Sequence, residues 1–217
     1  QFSGFGGSAS PGMLIYTDTT GATNNPSFTI NLGPPGVKQV ICAFATTDNV
    51  EGNDSWQWGT GSVGGQAFTY AVGSGQESAG DGANYTSGTT IRALQTTLGG
   101  DQTVSIPINL FLGTMNSTGM LAFVVRGFSA TPIAYDGGNS QGGTAGDNFT
   151  INTAGARLVI GAATGSSPGN MQGPGTEVTT FSNSVMSLGY DLSPAGGGSD
   201  VYSFTGGKYG ISGASFG

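Results

Sequence analysis

Histidine is absent from this chain of 217 residues. That removes Ser-His-Asp and Cys-His nucleophile systems, the usual acid–base group near neutral pH, and most zinc and non-haem iron sites. Carboxylate pairs are the chemistry left open, because glycoside hydrolysis needs only two Asp or Glu side chains across a cleft. The glutamates are Glu51, Glu77 and Glu177. Glu51 and Glu77 lie in Gly-rich loop sequence and Glu177 precedes a strand, so their spacing makes no two of them face each other. A pair such as Glu51 with Glu177 would define a small secreted glycosidase. The expectation is instead a non-enzymatic protein with no catalytic residues.

Two other constellations could bind. Asp48-Asn49-Val50-Glu51-Gly52-Asn53-Asp54 places the carboxylates of Asp48, Glu51 and Asp54 in one loop, where oxygen ligands could hold calcium. The spacing departs from the helix-loop-helix pattern, and the same residue types form turns without any metal. No metal or cofactor is therefore assigned. Trp56, Trp58, Phe68 and Tyr70 recur along extended sequence. They could form a platform for a sugar ring, aided by loop residues 73–88. Aromatics in alternation also fill a sandwich core or a subunit interface. Gly196-Gly197-Gly198 lacks the Lys-Ser/Thr of a phosphate-cradling loop.

Composition narrows the setting. The net charge is −7, and the five cations, Lys38, Arg92, Arg126, Arg157 and Lys208, are scattered. A nucleic-acid surface needs them clustered. No apolar run approaches the roughly 20 residues of a membrane-spanning helix, and the opening residues lack a signal-peptide pattern. Cys42 is the only cysteine and sits in an apolar run, which reads as a small core residue. An intrachain disulfide is thus excluded, and assembly inside a reducing cell is the natural expectation. The sequons at Asn53, Asn84, Asn116 and Asn148 are ordinary in a chain so rich in Asn, Ser and Thr.

Any site must be held by strands. Forty-two glycines and few charges fit short strands joined by Gly-rich turns and do not fit helices. Phe28, Ile30 and Leu32 alternate with polar residues, Gly33-Pro34-Pro35-Gly36 is a turn, and residues 37–46 read as a strand covered on both faces. Ile91 to Leu98 reads as a strand or a brief helix. Val104, Ile106, Ile108 and Leu110 alternate around Pro107, predicting an edge strand. Turn signals every 8 to 15 residues predict about a dozen strands in an all-β, antiparallel sandwich, jelly-roll-like or barrel.

Phe28-Thr29-Ile30-Asn31 returns as Phe149-Thr150-Ile151-Asn152, and each copy leads into a similar apolar run, from Val40 and from Val159. The echo suggests two related halves. A single domain over 13–217 is expected, with a half boundary near 137–146. Before it, residues 1–12 form a Gly-rich arm that cannot build a core, and such an arm takes order only against something else. Gln1, Phe2 and Phe5 are the expected attachment residues. Phe216, in the similar stretch 206–217, and the aromatics Trp56 and Trp58 are expected to make contacts outside the chain.

The order of these features resembles β-rich virion structural proteins of tailed bacteriophages. It runs from Phe28–Leu32 and Val37–Thr46 through Val63-Gly64-Gly65-Gln66-Ala67-Phe68-Thr69-Tyr70 to a strand ending in Gly127-Phe128, and closes on Gly210-Ile211-Ser212-Gly213-Ala214-Ser215-Phe216. The resemblance implies a capsid decoration, head-fibre or tail-associated protein without enzymatic chemistry. Its partners would be copies of itself, as a trimer or another cyclic assembly, and other virion proteins. Alternatives are a tail protein touching host glycans and a subunit of an extracellular filament built by strand exchange.

Overall fold

Strands and turns account for the whole of the described chain, and no helix forms among the described residues. The computed structural model describes residues 15–20, 25–47, 56–73, 87–110, 117–139, 148–165, 167–174, 178–182, 186–192, 194, 196–207 and 210–217. In chain order the first half contains β1 (Ile15–Thr20), β2 (Ser27–Asn31), β3 (Lys38–Thr47), β4 (Trp56–Trp58), β5 (Ser62–Val63), β6 (Gln66–Ala67), β7 (Tyr70–Gly73), β8 (Ser87–Thr96), β9 (Asp101–Ser105), β10 (Ile108–Leu110) and β11 (Ser117–Val125). The second contains β12 (Ala134–Asn139), β13 (Asn148–Asn152), β14 (Leu158–Thr164), β15 (Ser167–Gln172), β16 (Val178–Ser182), β17 (Met186–Asp191), β18 (Ser199–Gly207) and β19 (Gly210–Phe216).

The two halves repeat one topology. A five-stranded antiparallel sheet, β1-β11-β3-β8-β7, packs on a four-stranded sheet, β2-β9-β5-β6, with a short β10-β4 ribbon beside them. In the second half the corresponding sheets are β12-β19-β14-β17-β16 and β13-β18-β15. Substituting β12 for β1, β13 for β2, β14 for β3, β15 for β5, β16 for β7, β17 for β8, β18 for β9 and β19 for β11 turns one order into the other, with β6 left without a counterpart among the described strands. The division falls in the connection 126–133, earlier than the 137–146 expected, because β12 already pairs with β19.

Local chemistry explains the repeated tetrapeptide. β2 and β13 both alternate exposed and buried, with Phe28 and Ile30, and likewise Phe149 and Ile151, pointing inward. Asn31 Oδ1 accepts the Gly33 amide at 2.8 Å and Asn152 Oδ1 accepts the Ala154 amide at 2.9 Å. Each Asn thus turns the chain out of its strand with its own side chain. The next amide is handled alike, Leu32 N donating to Gly100 O at 2.8 Å and Thr153 N to Gly198 O at 2.7 Å.

Three apolar layers result. One fills the first sandwich around Phe28, Phe44 and Val104, and another fills the second around Phe149, Met171 and Phe204. The third lies between the two five-stranded sheets, joining Ile41, Ile91 and Phe123 to Ile160, Leu188 and Phe216. β3 is therefore buried on both faces, sending Val40, Cys42 and Phe44 one way and Ile41, Ala43 and Ala45 the other. Burying each large apolar side chain contributes roughly 1.5–3 kcal/mol, so the middle layer binds the halves firmly. Its central contacts are reciprocal, β8 meeting β14 as β17 meets β3 and β8 meeting β19 as β17 meets β11, whereas β7 meets β19 and β12 more closely than β16 meets β11 and β1. The halves are thus related by an approximate two-fold axis running through the β3–β14 contact, the arrangement of an isologous dimer within one chain.

Residues 87–96 form strand throughout, which settles the strand-or-helix alternative for that segment. The alternating run at 104–110 departs from expectation. β9 is an interior strand, paired with β2 and β5, and Pro107 sits in the break before β10. Proline's missing amide is harmless there, and its carbonyl accepts Gly59 N at 2.7 Å.

Candidate functional site

The residues expected to do chemistry or attachment are distributed unevenly. Gln1, Phe2, Phe5, Asp48, Glu51, Asp54, Glu77 and Glu177 lie outside the described residues. Trp56 is placed by its backbone, opposite Leu110 in the β4–β10 ribbon. Trp58 and Phe68 are buried against Phe44, with ring centroids 6.4 and 6.2 Å from it. They plug the first sandwich, so they supply no platform for a sugar. Phe216 is fully buried in the middle layer, where the five-stranded sheets close on it. That placement gives Phe216 a core role in place of the external one expected of it.

Tyr70 parts company with Trp58 and Phe68. It points from β7 toward the second half and meets Tyr135 of β12 edge-on, at 6.5 Å and 65°. Burial, then the neighbouring Tyr135, pushes its phenol above the usual tyrosine value. Tyr135 is 61 % exposed and Ile133 40 % exposed. An aromatic corner therefore opens to solvent where the edge strands β7 and β12 run side by side. Asp136 borders it, its carboxylate accepting the Thr150 amide at 2.8 Å.

The second sandwich contains a polar cluster whose equivalent positions in the first are mostly apolar. The Tyr202 hydroxyl donates to Asp191 Oδ2 at 2.8 Å, both residues being fully buried, and Thr153 Oγ1 donates to Asp200. Burial, then the hydrogen bond and charge of Asp191, then Asp200, hold the Tyr202 phenol well above its ordinary value. In the repeat the equivalent positions are Leu94 for Asp191, Val104 for Tyr202, Gln102 for Asp200 and Leu32 for Thr153. The fold closes this end with leucine in one half and with hydrogen-bonded acids in the other. The cluster ties β17 to β18, with Asp191, Tyr202 and Thr153 buried and Asp200 half-buried.

Among the described residues two cations are buried. Lys38 is fully buried and donates from Nζ to the carbonyls of Leu32 at 3.0 Å, Pro34 at 2.6 Å and Leu98 at 2.6 Å. It pins the Gly33–Gly36 turn to the end of β8, and burial, then Arg126, lowers its pKa. Arg92 is 8 % exposed and donates from Nε to Thr90 Oγ1 at 3.0 Å; desolvation pushes its pKa down to about 10. Neither Lys38 nor the Asp191–Tyr202 pair was anticipated. The only advance signal lay in aligning the two copies beyond the tetrapeptide. No family model, curated protein or solved structure matches the chain.

Proposed function

We propose that the protein is a non-enzymatic structural subunit of a bacteriophage virion, a capsid decoration or head-fibre protein. The doubled eight-strand unit is the observation that carries this reading. With each half's principal strands lettered a to h, its sheets run a-h-c-f-e and b-g-d. A jelly roll runs a-h-c-f and b-g-d-e, so each half is a jelly roll whose strand e has changed sheets. Viral capsid proteins and lectins use that architecture. Three filled apolar layers make a rigid body suited to packing in an ordered particle, and the Gly-rich arm 1–12 is its attachment element.

The test is occupancy. Quantitative mass spectrometry of purified particles should find the chain in many copies, and labelled antibody should decorate the capsid under the electron microscope. Removing residues 1–12 should deplete it from particles while leaving the soluble body folded. A chain absent from particles, or one that occupies them fully without its arm, overturns the reading.

A further inference from the structure

We propose that Arg92 anchors a ligand site on the flank of the first sandwich, over β7 and β8, and that the ligand is a small carboxylate. Arg92 has Cys42 of β3 beside it on one side and Ala71 of β7 on the other. Cys42 is buried in the first sandwich and Ala71 is exposed, so the guanidinium stands where the core ends and the surface begins. Arg92 is 8 % exposed, and its one hydrogen bond among the described residues runs from Nε to Thr90 Oγ1 at 3.0 Å. That bond fixes the plane of the guanidinium and leaves its Nη1–Nη2 fork unpartnered by them. No described carboxylate offsets the charge, and desolvation lowers the pKa. A cation taken out of water is costly until an anion and hydrogen bonds replace the water.

The repeat shows the same place closed. The positions equivalent to Arg92, Cys42 and Ala71 are Gly189, Gly161 and Thr180. Met171 of β15 lies against both glycines, and its amide donates to Thr180 Oγ1 at 2.8 Å. β15 thereby covers β16 and β17. Its counterpart β5 pairs with β9 and β6 and does not pack over β7 and β8. One half therefore plugs this flank with a thioether, and the other sets a guanidinium beneath a flank that no described strand covers. Charge selects the occupant. The two oxygens of a single carboxylate accept in parallel from the two Nη groups. A phosphate dianion calls for further cations, and the other described ones are committed elsewhere. Lys38 serves three carbonyls, Arg126 those of Pro34 and Val37, and Arg157 that of Gly127.

The inference is independent of the particle assignment, which occupancy decides. Its test follows the Arg92 Nε–H signal by NMR in the labelled full chain as sodium acetate is added, against sodium chloride at equal ionic strength. Acetate should shift that signal saturably and raise the thermal midpoint, since a ligand held by the folded state stabilises it. The neutral isostere acetamide should do neither, and inorganic phosphate should bind more weakly than acetate. Arg92→Lys keeps the charge and loses the fork, so it should bind acetate about tenfold more weakly. Arg92→Met should not bind it, and Arg126→Met, altered at an exposed cation, should bind as the unaltered chain does. The titration of the unaltered chain decides the matter whether or not a variant folds. A signal that acetate leaves unmoved, or moves no more than chloride does, overturns the proposal. So does acetate binding that survives Arg92→Met, or phosphate binding tighter than acetate. A signal that titrates without added ligand near the ordinary carboxylate pKa of about 4 also overturns it, because an acid of the chain itself or of a second copy then fills the fork.

Discussion

Gly213 is glycine because Phe149 leaves no room for anything larger. A Cβ there would fall within the Phe149 ring, and Gly161 approaches the same ring from the neighbouring strand. Phe149 is also stacked on Tyr202, with centroids 5.4 Å apart and planes within 10°, so it has no free direction to move. Gly213→Ala should therefore cost about 1–3 kcal/mol, as overpacked cores do, read as a lower midpoint in urea. Tyr202 makes a second prediction. Its folded-state pKa is raised, so the folded chain keeps a proton that an unfolded tyrosine releases near pH 10. The stability it contributes is complete below about pH 10 and is lost as pH rises beyond it. Cys42, whose thiol burial also pushes up, adds a loss in the same direction from about pH 8.5. Denaturation midpoints should fall steadily from pH 8 to 11. Tyr202→Phe should flatten that slope while costing about 1–3 kcal/mol at neutral pH, since it removes a buried donor from Asp191.

At the level of elements, the repeat makes the chain its own control. Asn31 and Asn152 form the same turn after equivalent strands, so Asn31→Ala and Asn152→Ala should each destabilise by about 1 kcal/mol, with any excess at Asn31 set by its further donation from Nδ2 to Asp101 Oδ1. Thermal melts that differ widely would show that the two turns are not equivalent. Much of this was legible beforehand. The alternation at Phe28 and Ile30, the Gly33–Gly36 turn and the continuous burial of β3 follow from side-chain period and turn chemistry, which are local. The second copy was visible for the same reason. What escaped was non-local. Nothing near Trp58 shows that Phe44, on another strand, waits to cover it, and Phe216 sits in a Gly-rich stretch that reads as an arm. Lys38 reads in the sequence only as one of five scattered cations, because the three carbonyls that surround it come together only in the folded turn. Pro107 hinted correctly at a missing amide, but a break between strands accommodates that as well as an edge does.

Across the whole molecule, the middle layer couples the halves. Ile41, Ile91 and Phe123 meet Ile160, Leu188 and Phe216 there, and Ser212 Oγ and Thr89 Oγ1 share a buried hydrogen bond at 2.8 Å across it. Neither five-stranded sheet could expose that face to water without losing many kcal/mol of apolar burial. Calorimetry should therefore show a single unfolding transition. Ile160→Ala should lower it as a unit by about 2–5 kcal/mol, and two resolved transitions in the unaltered chain would contradict the coupling. Four stacked sheets, each about 10 Å from the next, also set the outer sheets β2-β9-β5-β6 and β13-β18-β15 roughly 30 Å apart and back to back. A partner gripped by one of these outer walls leaves the topologically equivalent opposite wall pointing directly away. The molecule is in that sense a two-sided tile of fixed thickness, able to hold two like surfaces at a constant gap.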